Sequence, residues 1–321
     1  MRRLVAVRSL HAIVVLFLVT TIAFFLLHFA PGDPFSFENS NVPQDVRDRM
    51  RASFGYDRPV VEQYVRYLRG VATGNLGFSH LRREPVVDAI AATVPRTLQL
   101  MGLALVISFV LGIRLGIYEA LHARLRRARA SNGATLLVYS IPDFWLALML
   151  LLLFAYWMPI LPAGGMTDPV LYDYMSPGRQ IWDRVRHLAL PLTTLVLIVT
   201  AYVARFQRAA LLDVLPADFV RSARAKGLEE RAVIGRHALR NALLPMITLA
   251  GLAFPTLLGG AVFVERVFAW PGMGSLVVDA IFVRDYPLVI AIVQIGALMV
   301  VIGSLLADLA YAWADPRVHA R

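Results

Sequence analysis

The stretch Leu215–Pro245, LPADFVRSARAKGLEERAVIGRHALRNALLP, is polar and Arg-rich and lies between two long apolar runs. Its spacing is helical. Phe219, Val220, Ala223 and Gly227 recur at i, i+1, i+4 and i+8 and make one narrow apolar face, while Arg221, Arg224 and Lys226 occupy other faces. Asp218, following Pro216 and Ala217, is placed to cap this helix, and Gly227 to end it. A second helix is expected from Glu229–Glu230 to Asn241, with its acids first and Arg236, His237 and Arg240 last, as the helix dipole prefers. Pro245 then opens the next apolar run, where a missing N–H is tolerated. The result is a short amphipathic helix held crosswise by a second one. Such a helix suits docking into a groove on a partner protein. It equally suits lying on anionic lipid, and the pattern leaves both open.

The surrounding composition belongs to a membrane. Hydrophobic residues make up 58% of the 321, against about 45–50% in a soluble domain, and the mean hydropathy is +0.62. The formal charge of +10 is almost all Arg, with Lys226 the sole Lys. It reads as insertion bias in cytoplasmic loops rather than as a nucleic-acid surface. There is no Cys, so disulfides, thiolate metal sites and thiol chemistry are excluded. The first apolar run, Val7 to Ala30, is too long for a signal-peptide core and has no Ala-x-Ala cleavage site, so a retained span is expected.

Six stretches reach the roughly twenty residues a bilayer core needs: 8–30, 97–119, 134–158, 188–210, 243–265 and 288–312. Each must be helical, because backbone groups in lipid pair within their own segment. The basic clusters fall before span one (Arg2, Arg3, Arg8), between spans two and three (Arg124, Arg126, Arg127, Arg129), between four and five, and after six (Arg317, Arg321). All share one side, which the charge bias assigns to the cytoplasm together with both termini. The chain then divides into 1–30 (N-terminus and first span), an outer region 31–96, a core 97–312 carrying the basic loop 211–242, and a tail 313–321. The outer region is long enough to fold. It opens on Pro31-Gly32-Asp33-Pro34, has amphipathic stretches near 43–54 and 59–71, and continues with Gly74-Asn75-Leu76-Gly77-Phe78-Ser79. Two further outer segments, 159–187 and 266–287, carry Leu161-Pro162-Ala163-Gly164-Gly165 and Trp270-Pro271-Gly272-Met273-Gly274, the latter before an amphipathic stretch from Leu276 to Phe282. Phe144, Trp145, Tyr156, Trp157, Trp182, Trp270, Tyr286, Tyr311 and Trp313 fall near span ends and read as the usual interfacial aromatic belt.

Ion-coupled carriers and channels keep ionisable groups deep in the membrane. Here His28, Arg114, Glu119, Asp143, Arg205, Arg208 and Glu265 lie near span ends. Asp308, the deepest acid, sits about one turn inside span six and reads as a hydrogen-bonded interfacial residue in preference to the alternative, a translocation role. No metal-ligand spacing, Walker A loop, or His/Asp/Ser cluster suited to an intramembrane enzyme stands out.

Against this background the motifs resemble one family. Asp218-Phe219-Val220-Arg221-Ser222-Ala223-Arg224-Ala225-Lys226-Gly227-Leu228 and Arg236-His237-Ala238-Leu239-Arg240-Asn241-Ala242-Leu243-Leu244-Pro245 resemble the cytoplasmic coupling (EAA) loop of permease subunits of binding-protein-dependent ABC importers, in the dipeptide/oligopeptide/nickel branch. Further matches are His28-Phe29-Ala30-Pro31-Gly32-Asp33-Pro34, Gly74-Asn75-Leu76-Gly77, Pro142-Asp143-Phe144-Trp145, Val264-Glu265, Trp270–Gly274, Arg284-Asp285-Tyr286-Pro287 and Asp315-Pro316-Arg317. Where the general pattern has Glu-Ala-Ala, this chain has Arg221-Ser222-Ala223, so the loop's docking role carries over without that Glu's own contact.

The resemblance implies an all-α integral membrane protein of the type I ABC importer permease kind, with six transmembrane helices and a folded extracytoplasmic loop after the first. It would sit in the bacterial inner membrane as half of a permease heterodimer. A sister permease, ABC ATPase subunits and an extracytoplasmic substrate-binding protein are its implied partners. It implies no cofactor, metal or catalytic residue in this chain, ATP and Mg being bound by the ATPase, and no nucleic acid. The implied ATPase-coupling residues are Asp218, Phe219, Val220, Ala223, Arg224, Ala225, Lys226, Gly227, Arg236, Asn241 and Pro245. The branch carries dipeptides, oligopeptides, nickel chelates, glutathione or sugars, and the sequence does not choose among them. The competing class is an ion-coupled secondary carrier or channel.

Overall fold

The computed structural model describes residues 2–29 and 44–314. Pro31–Pro34 and the Asp315–Arg317 motif lie outside the described residues, as do the side chains of Arg2, Arg3, Arg8, Tyr311 and Trp313.

The architecture is helical. α1 (Arg2–Phe29) is followed by α2 (Gln44–Phe54), α3 (Val60–Ala72) and a two-residue hairpin, β1 (Phe78–Ser79) with β2 (Glu84–Pro85), paired Phe78 to Pro85. Then come α4 (Val86–Leu121), α5 (Arg126–Ser140), α6 (Asp143–Leu151, extended by a π turn to Trp157) and α7 (Pro177–Val214). After the basic loop, α11 (Leu244–Ala253), α12 (Thr256–Gly259), α13 (Val262–Val267), α14 (Met273–Phe282) and α15 (Tyr286–Ala314) complete the chain. Among the described residues three helices are long and apolar enough to cross a bilayer alone: Val86–Leu121, Pro177–Val214 and Tyr286–Ala310.

Two expected spans are not continuous. The stretch 134–158 bends by 101° between α5 and α6. Pro142 lacks an N–H and forces the preceding residue out of the helical region, and Ile141 duly sits at φ −83, ψ 130. The stretch 243–265 is three short helices, interrupted at Gly260 with φ +73. Conversely, α4 and α7 run well beyond 97–119 and 188–210, because their added turns bury against neighbours.

α4 and α7 form the spine. A Cβ added to Gly116 would lie 2.5 Å from the Ala204 carbonyl oxygen, and one on Gly112 2.6 Å from Val203 Cβ. Small residues let the backbones approach where apolar surface gains nothing by leaving lipid. Gly116→Val is therefore expected to separate the helices and cost about 1–3 kcal/mol, read as a lower unfolding midpoint in detergent.

The 44–96 region folds onto α1 and α15. Tyr64 Oη pairs with Thr21 Oγ1 at 2.6 Å, and Tyr67 Oη donates to Gln294 Oε1 at 3.1 Å. Ser79 Oγ and the Leu81 N–H both reach Asp285 Oδ2, at 2.6 and 2.9 Å. Ser79 and Asp285 are fully buried, so this clasp fixes the hairpin on the first turn of α15.

The motif 264–274 is a folded knot around a carboxylate. Glu265 is fully buried, and its oxygens accept from the N–H groups of Ala261 (3.3 Å), Ser275 (2.8 Å) and Gly274. Gly260, Gly272 and Gly274 surround it; a Cβ on Gly272 would lie 2.6 Å from both oxygens. Trp270 is 1% exposed, packs beside Leu100 and Phe268, and donates Nε1–H to the Arg96 carbonyl at 3.1 Å. It is thus a core anchor and not a belt residue, and Tyr286 is buried too; Tyr156, Trp157 and Trp182 stay exposed. Glu119 also lies inside, receiving Ser131 Oγ at 2.7 Å between α4 and α5.

Candidate coupling site

The basic loop leaves α7 through a tight turn in which the Leu215 N–H bonds Leu211 O and the Ala217 N–H bonds Val214 O, both at 3.0 Å. α8 spans Asp218–Ala225. Its N-cap is Ala217, with no side-chain cap; Asp218 is the first helical residue. This corrects the expected cap. The acid serves the positive end of the helix dipole and pairs with Arg221 at 3.2 Å in the open. The C-terminal end is as expected: Gly227 has φ +75 and its N–H bonds Arg224 O at 2.9 Å. A left-handed residue there favours Gly, which has no Cβ to clash.

The burial of α8 reverses the expected role of its narrow face. Val220 is 0% and Ala223 4% exposed, and both pack in one cluster with Ala120 of α4, Leu211 of α7, and Val233, Ala238 and Ala242. They bind the helix to its own chain. Phe219, by contrast, is 44% exposed, and Asp218, Arg221, Ser222, Arg224, Ala225, Lys226, Gly227 and Leu228 are exposed with it. The one large apolar side chain that α8 turns outward is therefore Phe219, ringed by charge.

The second expected helix forms with a bulge. α9 (Glu230–Ala232) passes through a π stretch at Val233–Ala238 into α10 (Leu239–Ala242). The wider turn brings Val233, Ala238 and Ala242 all inward under α8. Arg224 closes the end of α8 onto α9, donating Nη2–H to Glu230 Oε1 at 2.8 Å and Nε–H to Oε2 at 3.2 Å. This fork holds the Glu230 carboxyl below its usual range and raises the Arg224 guanidinium. A lowered folded value means the tie is present at neutral pH and weakens as pH falls through that value. Both side chains are about half exposed, so its weight is positional. Glu230→Gln is expected to leave folding unchanged and to increase local mobility of a spin label at Ala225, which wild type would match only in acid.

Of the remaining expected residues, Arg236 is exposed on the π stretch. Asn241, whose Nδ2 donates to His237 O at 2.9 Å, and Pro245 lie elsewhere, in the wall of a groove of about 490 Å³ with Phe206 and Leu244. The bed residues Leu211, Val233, Ala238 and Ala242 were not singled out from sequence. Only the i, i+4 spacing of Ala238 and Ala242 hints at them.

An apolar helical bundle with a short helix packed on it, Val220 and Ala223 inward and Phe219 outward, defines an integral membrane protein. Residues 108–320 match the family model described as binding-protein-dependent transport system inner membrane component, and residues 1–101 match the N-terminal membrane component of the same systems. The chain belongs to this family, the permease components of ABC transport systems, and is a multi-pass inner-membrane protein; its helical fold fits the type I permease class. It is 36% identical over 314 residues to the oligopeptide transport system permease protein AppB of Bacillus subtilis, covering 97% of this chain and 98% of the relative. It is 35% identical over 318 residues to the dipeptide transport system permease protein DppB of Escherichia coli, covering 94% of each. A putative peptide permease of Brucella ovis is 39% identical over 315 residues, 97% of each.

Proposed function

We propose that this chain forms one half of the translocation pathway of an ATP-driven importer of di- and oligopeptides, with a sister permease as the other half. The near end-to-end likeness to permeases named for oligopeptide and dipeptide transport supports the substrate class. ATP and Mg are bound and ATP is hydrolysed by separate or fused ATPase subunits, and an extracytoplasmic binding protein delivers the peptide.

The carrying observation for mechanism is the mount of α8. Phe219, Arg221, Arg224 and Lys226 form the face offered to the ATPase, while Val220 and Ala223 clamp the helix to α4, α7 and α10. A push on α8 is thereby delivered to α7 and to the α10–α11 entry, because packed cores move as units. Closure of the ATPase pair on ATP swings these helices and opens the pathway outward; hydrolysis resets it. In this reading α1, the bent α5–α6 pair and the broken α11–α13 segment each make one crossing beside α4, α7 and α15. That gives six crossings, with both termini in the cytoplasm and 31–96 outside.

The test is reconstitution of this permease with its sister, ATPases and binding protein in proteoliposomes. Peptide uptake is expected only with ATP on the ATPase side and binding protein on the other. Uptake by this chain alone, driven by an ion gradient, would instead establish the secondary-carrier reading.

A further inference from the structure

Asp308 is an acid within the apolar helix α15, outside the basic loop. It lines a notch of about 130 Å³ with Thr248, Gly251 and Leu252 of α11 and Ser304 and Ala307 of α15. The helices touch backbone to backbone here: a Cβ on Gly303 would lie 2.6 Å from the Gly251 carbonyl oxygen. That close crossing leaves two hydroxyls and a carboxylate to line the hollow beside it.

The notch opens away from the chain's own core. Thr248 and Ser304 are exposed, and Leu252 is 70% exposed. On its other flank the same Thr248–Leu252 edge walls the groove of about 490 Å³ that Phe206 and Pro245 also line. The edge is therefore a ridge between two hollows.

A carboxylate turned to hydrocarbon is costly, and acids in spanning helices face the bundle interior or water. Here the polar lining opens outward from this chain's bundle, which leaves the space between the two permease halves. We infer that the α11–α15 notch faces the translocation pathway, and that Asp308 makes it a transient site for cationic groups, such as the ammonium or a basic side chain of a passing peptide. The interfacial reading of Asp308 gives way to one in which it lines the path. Both the pathway and the peptide as its occupant rest on the proposed function, with a sister permease as the other half.

The chain has no Cys, so Ser304→Cys places a single thiol in it. The full importer, with partner thiols blocked beforehand, is treated with cationic and anionic water-soluble methanethiosulfonates, nucleotide-free and trapped with ATP. We expect labelling in at least one state, about tenfold or more faster with the cationic reagent. That is the order a unit charge a few ångströms away produces in a half-wet site. Adding Asp308→Asn should remove most of the preference, and Thr248→Cys should repeat the pattern. Inert thiols at both positions in a complex that still takes up peptide would place the notch against lipid or protein and overturn the inference while sparing the proposed function. A charge preference unchanged by Asp308→Asn would overturn the role of Asp308. Transported basic peptide should slow labelling; labelling as expected without such protection would leave the notch in the path and remove the peptide as its occupant.

Discussion

Ala223→Glu is expected to leave the protein inserted in the membrane and to abolish ATP-driven uptake. Ala223 is 4% exposed in an apolar bed of Ala120, Leu211, Val220, Val233, Ala238 and Ala242. A carboxylate forced into such a site without a partner costs several kcal/mol. α8 is a two-turn helix on an exposed loop, and releasing it costs less than burying the charge. The bulk of the bundle, whose cores lie along α4, α7 and α15, is untouched. A loss of about 3 kcal/mol in seating lowers the seated fraction on the order of a hundredfold. Uptake in the reconstituted importer should fall accordingly, while ATP hydrolysis loses its response to the loaded binding protein. Ala223→Ser, which adds one atom able to bond a helical carbonyl, should stay near wild type. Full, binding-protein-stimulated uptake by Ala223→Glu would remove α8 as the coupling element.

Glu265 carries the second large effect, this one on folding. Its Oε1 accepts from Ala261 N–H and its Oε2 from Ser275 N–H, so both oxygens are committed as acceptors. Glu265→Gln keeps the shape and replaces one acceptor by a donor, which must then face an N–H. An unmet buried donor costs about 1–3 kcal/mol. Glu265→Ala abandons the N–H groups and leaves a hollow among Gly260, Gly272 and Gly274, for an expected loss of about 3–5 kcal/mol. Unfolding midpoints of the purified protein should rank wild type, Gln, Ala. A Gln variant as stable as wild type would mean that the carboxylate is not what the glycines are built around.

Much of this was open to reading in one dimension. The helices α2 and α3 appear within a residue or two of the stretches 43–54 and 59–71, because amphipathic spacing is local. The stop at Gly227 was legible because a left-handed helix end favours Gly. The breaks in two spans were less so. Pro142 was visible as a residue, but hydropathy averages over a bend, and a 101° turn leaves composition unchanged. Trp270 departs from expectation for a related reason. Position near a span end suggests an interfacial ring, whereas contact with Leu100, Phe268 and the Arg96 carbonyl decides that it is core.

The basic loop 215–245 divides the same way. Its length, helix, stop and basic charge are properties of neighbouring residues, and the sequence by itself determined them, along with the membrane setting and the lack of thiol chemistry. Which side of α8 stays exposed was settled only by the tertiary structure. An amphipathic stripe states that one face seeks apolar contact; it does not state with whom. The π bulge at Val233–Ala238 turns Val233, Ala238 and Ala242 toward Val220 and Ala223, so the stripe is satisfied within the chain. What remains outward is Phe219 and a ring of charge. The same holds for Asp308: Ser304, four residues away, shares its helix face by periodicity, but Thr248, 60 residues away, joins them only where Gly251 and Gly303 let two backbones touch.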